Sequence, residues 1–234
     1  MKKLILISLL FSLAIPAFSK NWNNISTTVT LGYESRYVLY GYRLSKHLWH
    51  ADVYFSMPAG ERLTVWAGSW LGTLPDGTYN EIDFYTGADY QLTDHISAGL
   101  AYSMFNYLEA PFPTSQQAHE ISGHLTMTAG PFTLSLRDLY DSEAEGHLAR
   151  AVAAFDHPIT DTVGLSLSAE YGYSFDYFAA GDGLNHALFK AAVPVRMNKT
   201  WTVSPFIAQS LALDVIDSFE EDQFYGGVFV STTF

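Results

Sequence analysis

Side chains that alternate apolar and polar over a dozen or so residues, connectors that alternate short and long, and an aromatic-rich last segment predict an all-β chain. The predicted architecture is a transmembrane antiparallel up-and-down β-barrel of about twelve strands, following a cleaved signal peptide. The alternation is clearest between Thr162 and Asp176. Gly164, Ser166, Ser168, Glu170, Gly172 and Ser174 interleave there with Leu165, Leu167, Ala169, Tyr171, Tyr173 and Phe175. A strand sends successive side chains to opposite faces, whereas a helix would scatter both sets around its circumference.

The N-terminus reads separately. Lys2 and Lys3 precede a largely apolar run from Leu4 to Ile15, then Pro16 and the pattern Ala17-Phe18-Ser19. This is the layout of a secretory signal with cleavage expected after Ser19. The run is about a dozen residues, short of the roughly 20 that span a bilayer as a helix. Residues 1–19 are therefore the expected signal peptide and 20–234 a single barrel domain.

Within that domain the first strand is expected from near Ile25 to Val38. Later segments repeat the pattern. Ile82, Phe84, Ala88 and Tyr90 oppose Asp83, Tyr85, Gly87 and Asp89; Ala149, Ala151 and Phe155 oppose Arg150, Ala154 and Asp156. Tight turns are expected at Pro58-Ala59-Gly60-Glu61, Thr93-Asp94-His95, Gly130-Pro131, Thr160-Asp161 and Asn198-Lys199, all rich in turn formers. Longer connectors are expected near 40–46, 73–80, 108–117, 141–146, 177–184 and 214–222. Short periplasmic turns and long outer loops are the outer-membrane arrangement. The last strand, Gln223 to Phe234, closes on an aromatic residue, and by resemblance to outer-membrane barrels Phe234 is the expected assembly signal.

Composition narrows the function classes. Loss of Lys2 and Lys3 takes the formal charge from −12 to −14, which argues against nucleic acid as a partner. With no cysteine, the chain has neither disulfides nor thiolate metal sites. Although 48% of residues are hydrophobic, no apolar stretch after the signal is long enough for a membrane helix, so apolar side chains are spent singly along strands.

The first half resembles the TorF-type porin family. The matching stretches are Ser35-Arg36-Tyr37 with Gly41, Trp66-Ala67-Gly68-Ser69-Trp70, and Glu81 through Tyr90, together covering roughly 31–107. Family members usually carry an acid after that serine and arginines before the glycine; this chain has Arg36 and Val38-Leu39-Tyr40 instead. The resemblance implies a small exported porin-type barrel.

If the apolar parity faces lipid, the other parity lines the lumen. The acids Glu34, Asp52, Asp83, Asp89, Glu120, Asp156 and Glu170 fall there, as do the bases Arg36, Arg137, Arg150, Lys190 and Arg196 and the imidazoles His50 and His124. A charge facing lipid costs roughly 2–4 kcal/mol near the midplane, so sorting onto one parity has a physical reason. Acids prevail, and the outer loops add more. The expectation is a porin-like passive channel for small solutes with mild cation or neutral preference, and the alternative is a non-conducting structural or recognition barrel braced by salt bridges. Outer-membrane lipid and assembly machinery are the expected partners.

Neither a cofactor, a metal nor a catalytic site is expected. His47 and His50 point to opposite strand faces, as do His119 and His124. Ser142, His147 and Asp141 share one outer loop, yet no nucleophile motif surrounds the serine, so the chain reads as a non-enzyme.

Overall fold

The structure, a computed structural model, describes residues 25–74, 77–109 and 116–234. The signal segment lies outside these residues. The strands are β1 (Ser26–Glu34), β2 (Tyr37–Leu39), β3 (Tyr42–Ser45), β4 (Leu48–Pro58), β5 (Leu63–Thr73), β6 (Asn80–Gln91), β7 (Ile96–Glu109) and β8 (Gln117–Ala129). They continue with β9 (Phe132–Asp141), β10 (Gly146–Pro158), β11 (Gly164–Phe175), β12 (Asp182–Ala192), β13 (Val195–Arg196), β14 (Trp201–Ala212) and β15 (Gln223–Thr233).

Twelve staves close the barrel: β1, β4 to β11, β12 with its tail β13, β14 and β15. Each pairs antiparallel with its chain neighbour, and β1 pairs with β15 from Thr28↔Thr233 to Glu34↔Gly227. Reciprocal bonds between Thr27 and Phe234, both 3.0 Å, finish the seam. Closure leaves no open edge, and a sheet in hydrocarbon requires this because an unpaired backbone group has no water to bond. Pro194 interrupts the ladder for want of an N–H, but pairing resumes in the same register, Ala192↔Phe206 before it and Val195↔Val203 after.

Burial runs inside out relative to a soluble protein. Leu100 is 70% exposed and Leu136 60%, while Glu81 is fully buried and Glu120 only 3% exposed. Apolar side chains face outward because the surroundings are hydrocarbon, and the enclosed space takes the polar parity. Asp138, on the outward parity of β9, sits near the outer rim with His147 3.2 Å away.

The structure departs from the sequence expectation at one place. The first strand does not continue to Val38, and the stretch after Tyr40 is not an outer loop. β1 ends at Glu34, where Ser35 is fastened to Gly226 by its N–H to the carbonyl (2.9 Å) and by its Oγ accepting the Gly226 N–H (3.1 Å). The chain then forms a separate hairpin, β2 with β3, paired only to itself. Tyr40 and Gly41 form its tip with φ of +53° and +90°, the pattern of a type I′ turn. A tyrosine in the left-handed region costs about 1–2 kcal/mol, a strain that needs compensation. Apolar surface supplies it: Tyr37, Val38, Tyr40 and Tyr42 would lie in water in an outer loop, and folding inward leaves them half-buried.

Candidate functional site

The enclosed interior is the candidate site, and the hairpin divides it. Its side chains meet the wall on all sides. The Tyr37 ring stacks on Trp70 of β5 at 5.5 Å and meets Tyr79 edge-on at 5.9 Å. Tyr40 and Tyr42 pack against Leu139, Leu148, Ala144 and Tyr177, whereas Val38 packs against Phe206, Ala208 and Tyr225 on the far wall. Gly41 comes so close to β12 that a Cβ there would lie 2.8 Å from the His186 Cβ, so glycine is required by space as well as by φ. The hairpin thus crosses the lumen rather than lying along one side. Burial raises the phenols of Tyr40 and Tyr177 above their ordinary value and that of Tyr42 to about 12.

Against the tip packs the main ionic group. Arg150 donates Nε and Nη2 to the two oxygens of Glu170, both at 2.7 Å. His186 Nε2 is 3.0 Å from the same carboxylate, and its Nδ1 is 2.7 Å from Asn185 Oδ1. The guanidinium lies over the Tyr40 ring at 4.6 Å, while the Tyr40 hydroxyl donates to Glu120 at 2.9 Å. β8, β10, β11 and β12 each supply a member. A planar guanidinium fork suits such bidentate pairing and ring stacking together.

The other sequence-derived residues fall into smaller groups. Lys190 places its ammonium 4.1 Å from the Phe206 ring centroid and 4.6 Å from that of Phe229. His50 lies between Trp70 and Phe229, with Nε2 3.5 Å from Glu34. Further along the same side, Asp89 of β6 accepts from Trp66 Nε1 of β5 at 2.8 Å and meets His124 Nε2 at 2.6 Å. Asp52 accepts from the Tyr85 hydroxyl, and Arg36, at the hairpin's base, donates to Gln223 at 2.7 Å. Arg137 sits in register between His124 and Arg150. Asp156 and Arg196 stand apart, exposed at the end of the barrel that carries the short turns. Phe234 is 67% exposed at the seam.

Several residues here escaped the sequence reading. Glu81 shares the inward parity of Asp83, is fully buried and accepts from the Tyr79 hydroxyl at 2.6 Å, so extending the alternation by one step would have found it. Among the described residues no ion pair reaches Glu81 or Asp83. Asn185 is different: the register shifts between Gly172 and Tyr173, so simple alternation cannot place it. The hairpin tyrosines carried no signal beyond the Tyr40-Gly41 dipeptide, which is not one of the strong type I′ pairs.

No family model and no curated protein matches the chain. Solved structures do. The KdgM porin in complex with disordered oligogalacturonate superposes with TM-score 0.56 at 10% identity, over 89% of this chain and 99% of that one. The NanC porin gives the same TM-score and identity over 89% and 98%. An outer membrane channel from Pseudomonas putida F1 gives 0.54 at 9% identity over 92% and 97%. At such identities the likeness is one of fold. With its apolar exterior and closed twelve-stave sheet, the chain is a bacterial outer-membrane β-barrel with the fold of small porins.

Proposed function

We propose that this barrel is a porin-like passive channel for small solutes, of the TorF type that its first half resembles, with mild preference for cations or neutral molecules. The observation that carries the reading is an enclosed polar interior in a twelve-stave barrel, a fold it shares with porins. No chemical step is part of it. The acidic outer loop from Asp214 to Asp222 supports attraction of cations. Lumen residues such as Asp52, Asp89, Lys190 and Arg137 set the field along the path.

The second reading is a non-conducting barrel braced by its interior ion pairs. The hairpin across the lumen favours it, because a plugged barrel needs no pathway. Planar-bilayer recordings of the purified protein separate the two. Discrete openings support the channel, and reversal potentials in a salt gradient then report its preference; anion selectivity would overturn the proposed preference. A correctly folded barrel that stays silent even without its hairpin supports the braced reading.

A further inference from the structure

We propose that the β2–β3 hairpin is a latched gate, released as a unit, so that the channel rests closed and opens when the latch lets go. This rests on the channel reading above and adds its regulation. Two features carry it.

The first is how the hairpin is attached. The staves are joined by continuous backbone ladders, but β2 pairs with β3 and with nothing in the wall. Its hold on the rest of the barrel is through side chains and one backbone N–H, that of Arg43, which donates to the Glu220 carboxylate at 3.4 Å. The element can therefore leave with its own backbone bonds intact, and no stave loses a ladder bond when it does. Its base is the short stretch around Ser35 and Arg36, tied to Gly226 and Gln223 of β15, which would act as the hinge.

The second is that both tyrosines flanking Gly41 engage one polar chain built into the wall. Tyr40 donates to Glu120 and lies under Arg150; Arg150 holds Glu170; Glu170 meets His186; His186 meets Asn185; and Asn185 Nδ2 returns to the Tyr42 hydroxyl at a long 3.5 Å. The strong inner links, Arg150 to Glu170 to His186, belong wholly to the wall. The outer links belong to the hairpin. Release breaks only the latter, leaving the buried charges of Arg150 and Glu170 still paired, so the open state keeps the barrel's bracing. That division between wall bonds and latch bonds is what a two-state element requires.

The test uses the full mature chain in planar bilayers, wild type beside Tyr40→Phe, which removes the donation to Glu120, and beside a variant with residues 37–45 replaced by a glycine-serine tether. The wild type should dwell closed with brief openings. Tyr40→Phe should raise the open probability about tenfold, the effect of one hydrogen bond to a charged group, and the tethered variant should stay open. Equal open probabilities for wild type and Tyr40→Phe would overturn the latch while leaving the channel intact. A silent tethered variant would instead count against the channel itself. Should the tethered variant not assemble, Val38→Cys in an otherwise cysteine-free chain gives a second readout. Val38 packs on the wall, so a membrane-impermeant maleimide should react slowly, and faster when Tyr40→Phe is added. A rate unchanged by Tyr40→Phe overturns the proposal.

Discussion

Replacing Glu170 with Leu removes the acceptor from the best-formed ion pair of the interior. Arg150 and His186 both aim at this carboxylate, and the side chains of Glu170, Arg150 and His186 are 9%, 17% and 1% exposed. Leucine roughly conserves volume, so the loss is electrostatic: a guanidinium fork stays desolvated with nothing to bond. Stranding one member of a buried pair costs about 3–5 kcal/mol. The lower end applies here, because Arg150 keeps some exposure and the Tyr40 ring remains over it at 4.6 Å. Ser168→Ala, two residues away on the same face, removes a half-buried hydroxyl and should change stability by no more than about 0.5 kcal/mol. Urea unfolding of vesicle-reconstituted protein, followed by tryptophan fluorescence, compares them. Glu170→Leu should unfold at a clearly lower urea midpoint than Ser168→Ala. Equal midpoints would refute the claim that this carboxylate braces the interior.

Other substitutions probe the hairpin and the seam. Gly41→Ala puts a Cβ at φ +90° and within 2.8 Å of the His186 Cβ, at a cost of about 1–2 kcal/mol for the backbone alone, so the hairpin should become cleavable by external protease while the barrel stays heat-modifiable on gels; continued resistance would contradict the close fit. Because burial raises the Tyr42 phenol from about 10 to about 12, a docked hairpin keeps that proton longer than a released one. Docking should therefore hold below pH 10 and weaken above it, as read by open probability in planar bilayers, and Tyr42→Phe should make that limb shallower, leaving the part contributed by Tyr40, whose phenol burial also raises; an unchanged slope would contradict the coupling. Phe234→Ala leaves the backbone bonds to Thr27 in place and removes a ring that is 67% exposed, so a fall in heat-modifiable protein in outer-membrane fractions would trace to recognition by assembly machinery; unchanged amounts would end Phe234's role as a signal.

Much of the wall is legible in the amino-acid sequence. The alternation along β11, β6 and β10 places Glu170, Asp83 and Arg150 on one side and Leu167, Phe84 and Ala151 on the other, because a closed sheet between hydrocarbon and an enclosed polar space imposes period two on every stave. Turn chemistry marks where staves end, as at Gly130-Pro131 between β8 and β9. The hairpin is illegible for a physical reason. Val38, Tyr40 and Tyr42 satisfy the same alternation whether their segment extends β1, forms an outer loop or folds inward, and only contact with residues remote in sequence, Glu120, Tyr177 and Phe206, selects the last. Pairing partners such as Arg150 with Glu170 follow from register, which composition does not encode.

Side chains of each stave must point by turns to lipid and to an enclosed interior for the barrel, and so the channel, to hold. Nitroxide labels placed one at a time along β11, from Leu165 to Phe175 in the cysteine-free chain, measure this directly in vesicles. Collisions with lipid-dissolved oxygen should peak at Leu165, Leu167, Ala169, Tyr171 and Tyr173, and fall at Ser166, Ser168, Glu170 and Gly172. A profile with helical period, or one with no period at all, would contradict the barrel and with it the channel.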